Sequence, residues 1–138
     1  MSEILEGVKV LDFGRYIAGP FCGALLADYG ADVIRIERVN GSEDRFVTPV
    51  TEDGQGAMFL QLNRNKLGLT LNPTKEKGKE IIKKLVERSD IVIANLPEQT
   101  LKSMSLDYER LKVINPGIIL TSNTCLLYTS PSPRDIRR

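Results

Sequence analysis

The residues best placed to do chemistry stand at breaks between apolar runs. Gly14-Arg15-Tyr16-Ile17-Ala18-Gly19-Pro20-Phe21 joins the first apolar run to the first helical pattern. A strand-to-helix turn of this kind offers free backbone N–H groups and a helix dipole to an anion; it serves equally as a tight structural turn. Its glycines, Gly14, Gly19 and Gly23, lack the G-x-G-x-x-G spacing of a dinucleotide fingerprint. The next apolar run ends at Glu37-Arg38. An acidic residue there can hold a ribose hydroxyl and an arginine can hold a phosphate, while a solvated charge pair fits the spacing as well. Asn63-Arg64-Asn65-Lys66 is a polar cluster that reads either as a site or as an exposed loop. Lys75, Lys77, Lys79, Lys83 and Lys84 are most simply the wet face of a helix. Asn95-Leu96-Pro97 follows another apolar run, at the edge where ligands gather in open α/β sheets. Of the nearby carboxylates, Asp12, Asp28 and Asp32 have positions suited to ordinary structural roles.

Composition removes several chemistries. The chain of 138 residues has no histidine, so imidazole-activated nucleophiles and histidine-ligated metals are excluded within it, and no metal is expected. Cys22 and Cys125 are too few for a disulfide framework and are not spaced as a metal site. Nineteen basic and 18 acidic residues leave a net charge of +1, so no global field points to nucleic acid or to an anionic membrane. The polar, acidic start MSEILEGVKV is not a signal peptide, and no apolar run approaches the roughly 20 residues of a membrane span. The expected setting is reducing and cytoplasmic.

The elements that must position these residues alternate. Val8–Phe13 reads as a buried strand, Pro20–Tyr29 as a helix and Asp32–Glu37 as a second strand. Residues 39–57 are rich in Gly, Asp, Glu, Thr and Pro with no sustained period, which predicts a long loop. Met58–Leu62 is a short apolar segment and Leu67–Leu71 a third strand. Lys75–Arg88 is the clearest helix, with Ile81, Ile82, Leu85 and Val86 expected on its buried face. Ile91–Ala94 reads as a strand, Pro97–Met104 as a short helix, Asp107 as the cap of another, and Ile118–Thr121 as the last strand. Such alternation predicts an α/β fold, a parallel sheet with helices on its faces. After Tyr128 the logic stops: LLYTSPSPRD and the basic end read as an out-of-place translated stretch or a disordered tail, so residues 125–138 are set apart from 1–124.

The order of these pieces carries more than any one of them. G-V-K-V-L-D-F, A-G-P-F, L-A-D-Y-G-A-D-V-I-R-I-E-R, N-R-N-K, S-D-I-V-I-A-N and N-P-G-I-I resemble the amino-terminal half of the family III CoA-transferases, the CaiB/BaiF type, over residues 5–124. That group includes formyl-CoA and carnitine-related CoA-transferases and α-methylacyl-CoA racemases. The resemblance implies a Rossmann-like sheet, incomplete in this chain, with a coenzyme A site along its strand ends. Ile17 and Ala18 would line the CoA path and Arg38 would reach its phosphates. Leu71 to Thr74 would flank the adenine side with Lys75 close by, and Asn95, Leu96 and Pro97 would take the place of the family's Asn-Phe turn. Leu96 stands where an aromatic is common, Glu98-Gln99 where a Pro-Gly or Arg-rich turn is frequent, and Ser103, beside Lys102, where many members have arginine.

The implied reaction moves CoA from an acyl-CoA to a carboxylic acid through an aspartyl anhydride and an enzyme–CoA thioester. Its nucleophile is expected beyond this chain, so no catalytic residue is assigned within it, and the full-length protein is expected to be an interlocked homodimer. Two rival readings remain at this point: a racemase-type isomerase using an acid/base pair, and a nucleotide-binding Rossmann module that does not take CoA.

Overall fold

The structure, a computed structural model, describes residues 3–123. The segment 125–138, read above as a foreign or disordered tail, lies outside the described residues. The chain runs β1 (Lys9–Asp12), α1 (Ala18–Asp28), β2 (Asp32–Glu37), a 3₁₀ turn (Glu43–Phe46), α2 (Ala57–Leu62), β3 (Leu67–Thr70), α3 (Glu76–Val86), β4 (Ile91–Ala94), α4 (Glu98–Ser103), α5 (Tyr108–Ile114) and β5 (Ile119–Ser122). All strand pairs are parallel, in the order β3-β2-β1-β4-β5, with Leu11 in register with Ile34 on one side and Val92 on the other.

The central strands β1, β2 and β4 are covered on both faces of the sheet, whereas the edge strands β3 and β5 stay largely exposed. Successive side chains point to opposite faces, and the core divides accordingly. Val10, Val33 and Ile93 pack on one face with Cys22, Leu26 and Ala27 of α1. Leu11, Ile36, Val92 and Ala94 pack on the other with Ile82 and Val86 of α3, Leu101 of α4 and Leu111 of α5. Helices therefore lie on both faces. The sheet grows outward through β2 and β3, then returns to add β4 on the other side of β1. The connections leaving β1 and β4 diverge at that point, which opens a crevice beyond the strands' carboxyl ends.

Local signals work as expected at several places. Pro20 lies in the first turn of α1, where its missing N–H costs nothing, and the Asp107 carboxylate caps α5 by accepting from the Arg110 N–H. Three details differ from the sequence reading. Met58–Leu62 belongs to a helix, α2, and the long loop before it contains the 3₁₀ turn. The buried face of α3 is Gly78, Ile82 and Val86; Ile81 is 45% exposed. That face follows an i, i+4, i+8 line, so the neighbouring Ile81, 100° away, turns outward. Among the described residues no helix is long and apolar enough to cross a membrane.

Candidate functional site

Beyond the carboxyl ends of β2 and β3 lies a cleft of about 690 Å³, lined by Arg38, Glu43, Leu71, Asn72, Thr74, Ser103 and Met104, with Val39, Phe46 and Pro73 adding apolar surface. Leu71 and Met104 are core residues that reach its floor. The Asn72 Oδ1 accepts from the Thr74 N–H at 3.0 Å and from its hydroxyl at 2.8 Å, which fixes the turn after β3. On the opposite wall Arg38 is 64% exposed and pairs through Nη1 with the Glu43 carboxylate at 2.8 Å. Lys75 precedes α3, exposed and outside the cleft lining.

The second group of expected residues sits at the divergence of β1 and β4. Asn95 clamps the turn after β1: its Oδ1 accepts from the Arg15 N–H at 2.6 Å, and its Nδ2 donates to the Arg15 carbonyl at 2.7 Å. The turn closes where Gly14 meets Gly19. A Cβ on either would stand 2.6 to 2.7 Å from the other's backbone, so only glycines allow the approach. Tyr16, between them, is held at φ 58°, a region costly for any residue with a side chain. Ile17 and Ala18 are exposed at the start of α1, Pro97 is exposed before α4, and Leu96 turns into the core. The cleft thus brings together Arg38, Leu71 and Thr74, while Ile17, Ala18, Asn95 and Pro97 gather at the neighbouring turn.

Behind both groups lies a buried set of charges that spacing did not reveal. Lys66 belongs to a stretch whose sequence fits a site or an exposed loop, yet its side chain is 1% exposed. Its Nζ donates to the Asp12 carboxylate and the Pro20 carbonyl, both at 2.7 Å, and to Asn63 Oδ1 at 3.0 Å. Burial lowers the Lys66 pKa, and the Asp12 charge opposes it. Glu37 and Arg38 do not form the solvated pair their adjacency allowed. Glu37 is 3% exposed and accepts from Arg45 in a two-point contact at 2.8 and 2.9 Å and from the Ser42 N–H at 3.0 Å. Burial pushes the Glu37 carboxyl up, but these bonds and the Arg45 and Arg35 charges outweigh it and hold the group below its ordinary range. The buried Arg35 donates to Asp44 at 2.7 Å, and burial nevertheless raises the Asp44 pKa. The Arg45 guanidinium also stacks on Phe59 at 3.7 Å.

None of the three carboxylates weighed in the sequence is free to attack a substrate. Asp12 is fully buried and already accepts from Lys66 and from the Gly14 N–H. Asp28 is engaged by Arg64 and Asn65. Asp32 starts β2, at the opposite edge of the sheet from the cleft. Among the described residues no group of three or more His, Cys, Asp or Glu side chains is placed to hold a metal.

The sequence profile of CoA-transferase family III matches residues 5–134. The chain belongs to that family. A succinyl-CoA:mesaconate CoA-transferase of Haloarcula marismortui is 38% identical over 122 residues, covering 86% of this chain and 31% of the relative. A formyl-CoA:oxalate CoA-transferase of Bradyrhizobium is 37% identical over 123 residues, covering 88% of this chain and 29% of the relative. The crystal structure of a CaiB/BaiF family protein from Brucella suis superposes with a TM-score of 0.82 at 38% identity, over 88% of this chain and 33% of that one. The chain therefore spans about a third of the length of these family III relatives.

Proposed function

We propose that this chain forms the coenzyme A-binding part of a CoA-transferase that moves CoA from an acyl-CoA to a carboxylic acid. The observation that carries the reading is the cleft at the ends of β2 and β3, on a chain of this family, with an exposed arginine on one wall and apolar surface on the floor. Its volume suits one small-molecule ligand. Leu71, Pro73 and Met104 offer a flat base an apolar seat, Thr74 and Ser103 offer polar contacts, and Arg38 offers a fixed fork of donors to a phosphate. Lys75 supplies a second cation next to the Asn72–Thr74 turn. From there the ligand's arm would follow the exposed edge past Pro97 and Leu96 to Asn95, Ile17 and Ala18, where the β1–β4 crevice would receive the thioester.

The chemistry proper calls for an aspartate carboxylate that attacks the acyl-CoA thioester. That attack expels CoA thiolate and leaves an aspartyl–acyl anhydride; the thiolate then attacks the aspartyl carbonyl, forming an enzyme thioester and freeing the donor acid, and the acceptor carboxylate repeats the exchange in reverse. By the family resemblance that nucleophile is read as belonging to a part of the full-length protein outside this chain, and Asp12, Asp28 and Asp32, engaged or misplaced, do not substitute for it. The full-length protein is read as an interlocked cytoplasmic homodimer that needs no metal.

The test is titration of the 138-residue chain with CoA and, separately, with NAD, followed by thermal stability and amide chemical shifts. Weak stabilisation by CoA is expected, with Arg38→Ala reducing affinity about tenfold, the worth of one charge-assisted contact. Stabilisation by NAD alone would reject the reading. No CoA transfer above background is expected from the chain by itself.

A further inference from the structure

Among the described residues Glu43 is the one acidic side chain lining the cleft, and its placement is specific. Its Oε1 lies 2.8 Å from Arg38 Nη1 and its Oε2 3.8 Å from Arg15 Nε, so one carboxylate sits between two guanidinium groups. The backbone that presents it is held by its neighbours. Ser42 is tied to Glu37 through its N–H, Asp44 to Arg35, and Arg45 to Glu37. All three ties end on the buried carboxyl half of β2, whereas the Glu43 side chain itself remains 41% exposed. Arg15 is equally fixed: its Nη1 donates to the carbonyls of Phe13, Gly14 and Ile36 at 3.1 to 3.4 Å. The turn therefore stays in place whether or not Glu43 holds Arg38. Arg38 and Glu43 meet as an ion pair at 2.8 Å while the arginine side chain stays 64% exposed, so its guanidinium remains open to the cleft.

A guanidinium binds carboxylate and phosphate with the same donor geometry. A carboxylate already at that position must be displaced before a phosphate can use it, and it repels any phosphate that arrives beside it. We propose that Glu43 is a built-in competitor for the phosphate of the ligand: it occupies Arg38 in the unliganded protein and thereby sets the affinity of the cleft. The inference rests on the reading of the cleft as a CoA site. Its consequence runs opposite to that of ordinary damage, because removing the competitor tightens binding.

The experiment is a double-mutant cycle on the 138-residue chain, with CoA titrated calorimetrically into the unsubstituted protein, Glu43→Gln, Arg38→Ala and the double variant. The pair is exposed, so its removal is worth about 0.2–1 kcal/mol, which converts to a tightening of up to about fivefold in Glu43→Gln. The gain should vanish in the double variant, since Glu43 acts through Arg38. Thermal unfolding of each variant verifies that the fold is retained. If Arg38→Ala weakens CoA binding while Glu43→Gln leaves it unchanged or weaker, the competitor role is overturned and the cleft reading stands. An equal gain with and without Arg38 also overturns it, by assigning Glu43 a general charge effect. If none of the four proteins binds CoA, the cleft reading falls and the inference with it.

Discussion

Asp12 and Lys66 stand 54 positions apart in the chain and meet with side chains 0% and 1% exposed. All three Lys66 ammonium protons have acceptors, so the pair is satisfied rather than merely adjacent. Breaking a buried pair from one side strands the other charge, which costs about 3–5 kcal/mol. Lys66→Met is therefore expected to lose about that much in urea unfolding, and Asp12→Asn combined with it less than the sum of the two single changes, because the stranded charge is then gone. Glu37 gives a pH-dependent counterpart. Its folded-state pKa lies below the ordinary 4.5, so the stability it contributes is complete above that value and disappears as the pH falls through the lower, folded-state one. Glu37→Gln should destabilise the protein clearly at about pH 7, and the loss should shrink as the pH falls through the lowered folded-state pKa, where the wild-type carboxyl becomes protonated as well. A destabilisation that stays constant across that range would show that the charge of Glu37 contributes nothing.

At the scale of elements, α3 is informative because its buried line begins with a glycine. A Cβ at Gly78 would stand 1.9 Å from the Asn72 carbonyl oxygen, a backbone atom in the turn that walls the cleft. In an exposed helix interior Gly→Ala gains about 1 kcal/mol. Here the clash reverses the sign, and Gly78→Ala is expected to cost about 1–3 kcal/mol, as overpacking does, and to weaken CoA binding by displacing the Asn72–Thr74 turn. Denaturant unfolding together with a CoA titration checks both halves. The same helix shows what a sequence can convey. Its existence, and the existence of each strand, were legible from apolar runs and helical spacing, and β2 and β4 begin and end where the pattern placed them. Apolar spacing alone puts Ile81 on the buried face, because a glycine carries no hydrophobic signal and the i, i+4, i+8 line through Gly78 is invisible in sequence. The segment 39–57 has no period to read, since the 3₁₀ turn within it is held by Arg35 and Glu37 across tertiary space. Arg38 was legible as a candidate because it follows a strand end, and the residues after β3 only through the family resemblance. Glu43, Arg15 and the buried role of Lys66 were not, because a charge's partner is fixed by the fold and not by its neighbours in sequence.

At the scale of the molecule, the sheet buries its two faces but leaves apolar surface on the far side of α1. Ile17, Phe21, Leu25 and Tyr29 recur every four residues and are 55%, 45%, 41% and 55% exposed. Residues spaced by four drift only about 40° per step around a helix, so they form one continuous stripe. On the opposite side of the helix Cys22, Leu26 and Ala27 pack against the sheet. The stripe does little for the fold of this chain: Leu25→Lys should change stability by no more than about 0.5 kcal/mol, whereas Ile93→Ala, within the sheet face that α1 covers, should cost about 2–5 kcal/mol. A contiguous apolar stripe does act on association. The 138-residue chain is therefore expected to self-associate as its concentration rises, and Leu25→Lys to shift it toward the monomer in sedimentation or light scattering at unchanged thermal stability. The competing route is pairing at the sheet edges, where Leu67 of β3 is 68% exposed and Ile119 of β5 is 57% exposed. Ile119→Lys separates the two. If it dissolves the assemblies and Leu25→Lys does not, the edge strand and not the helix stripe holds the copies together.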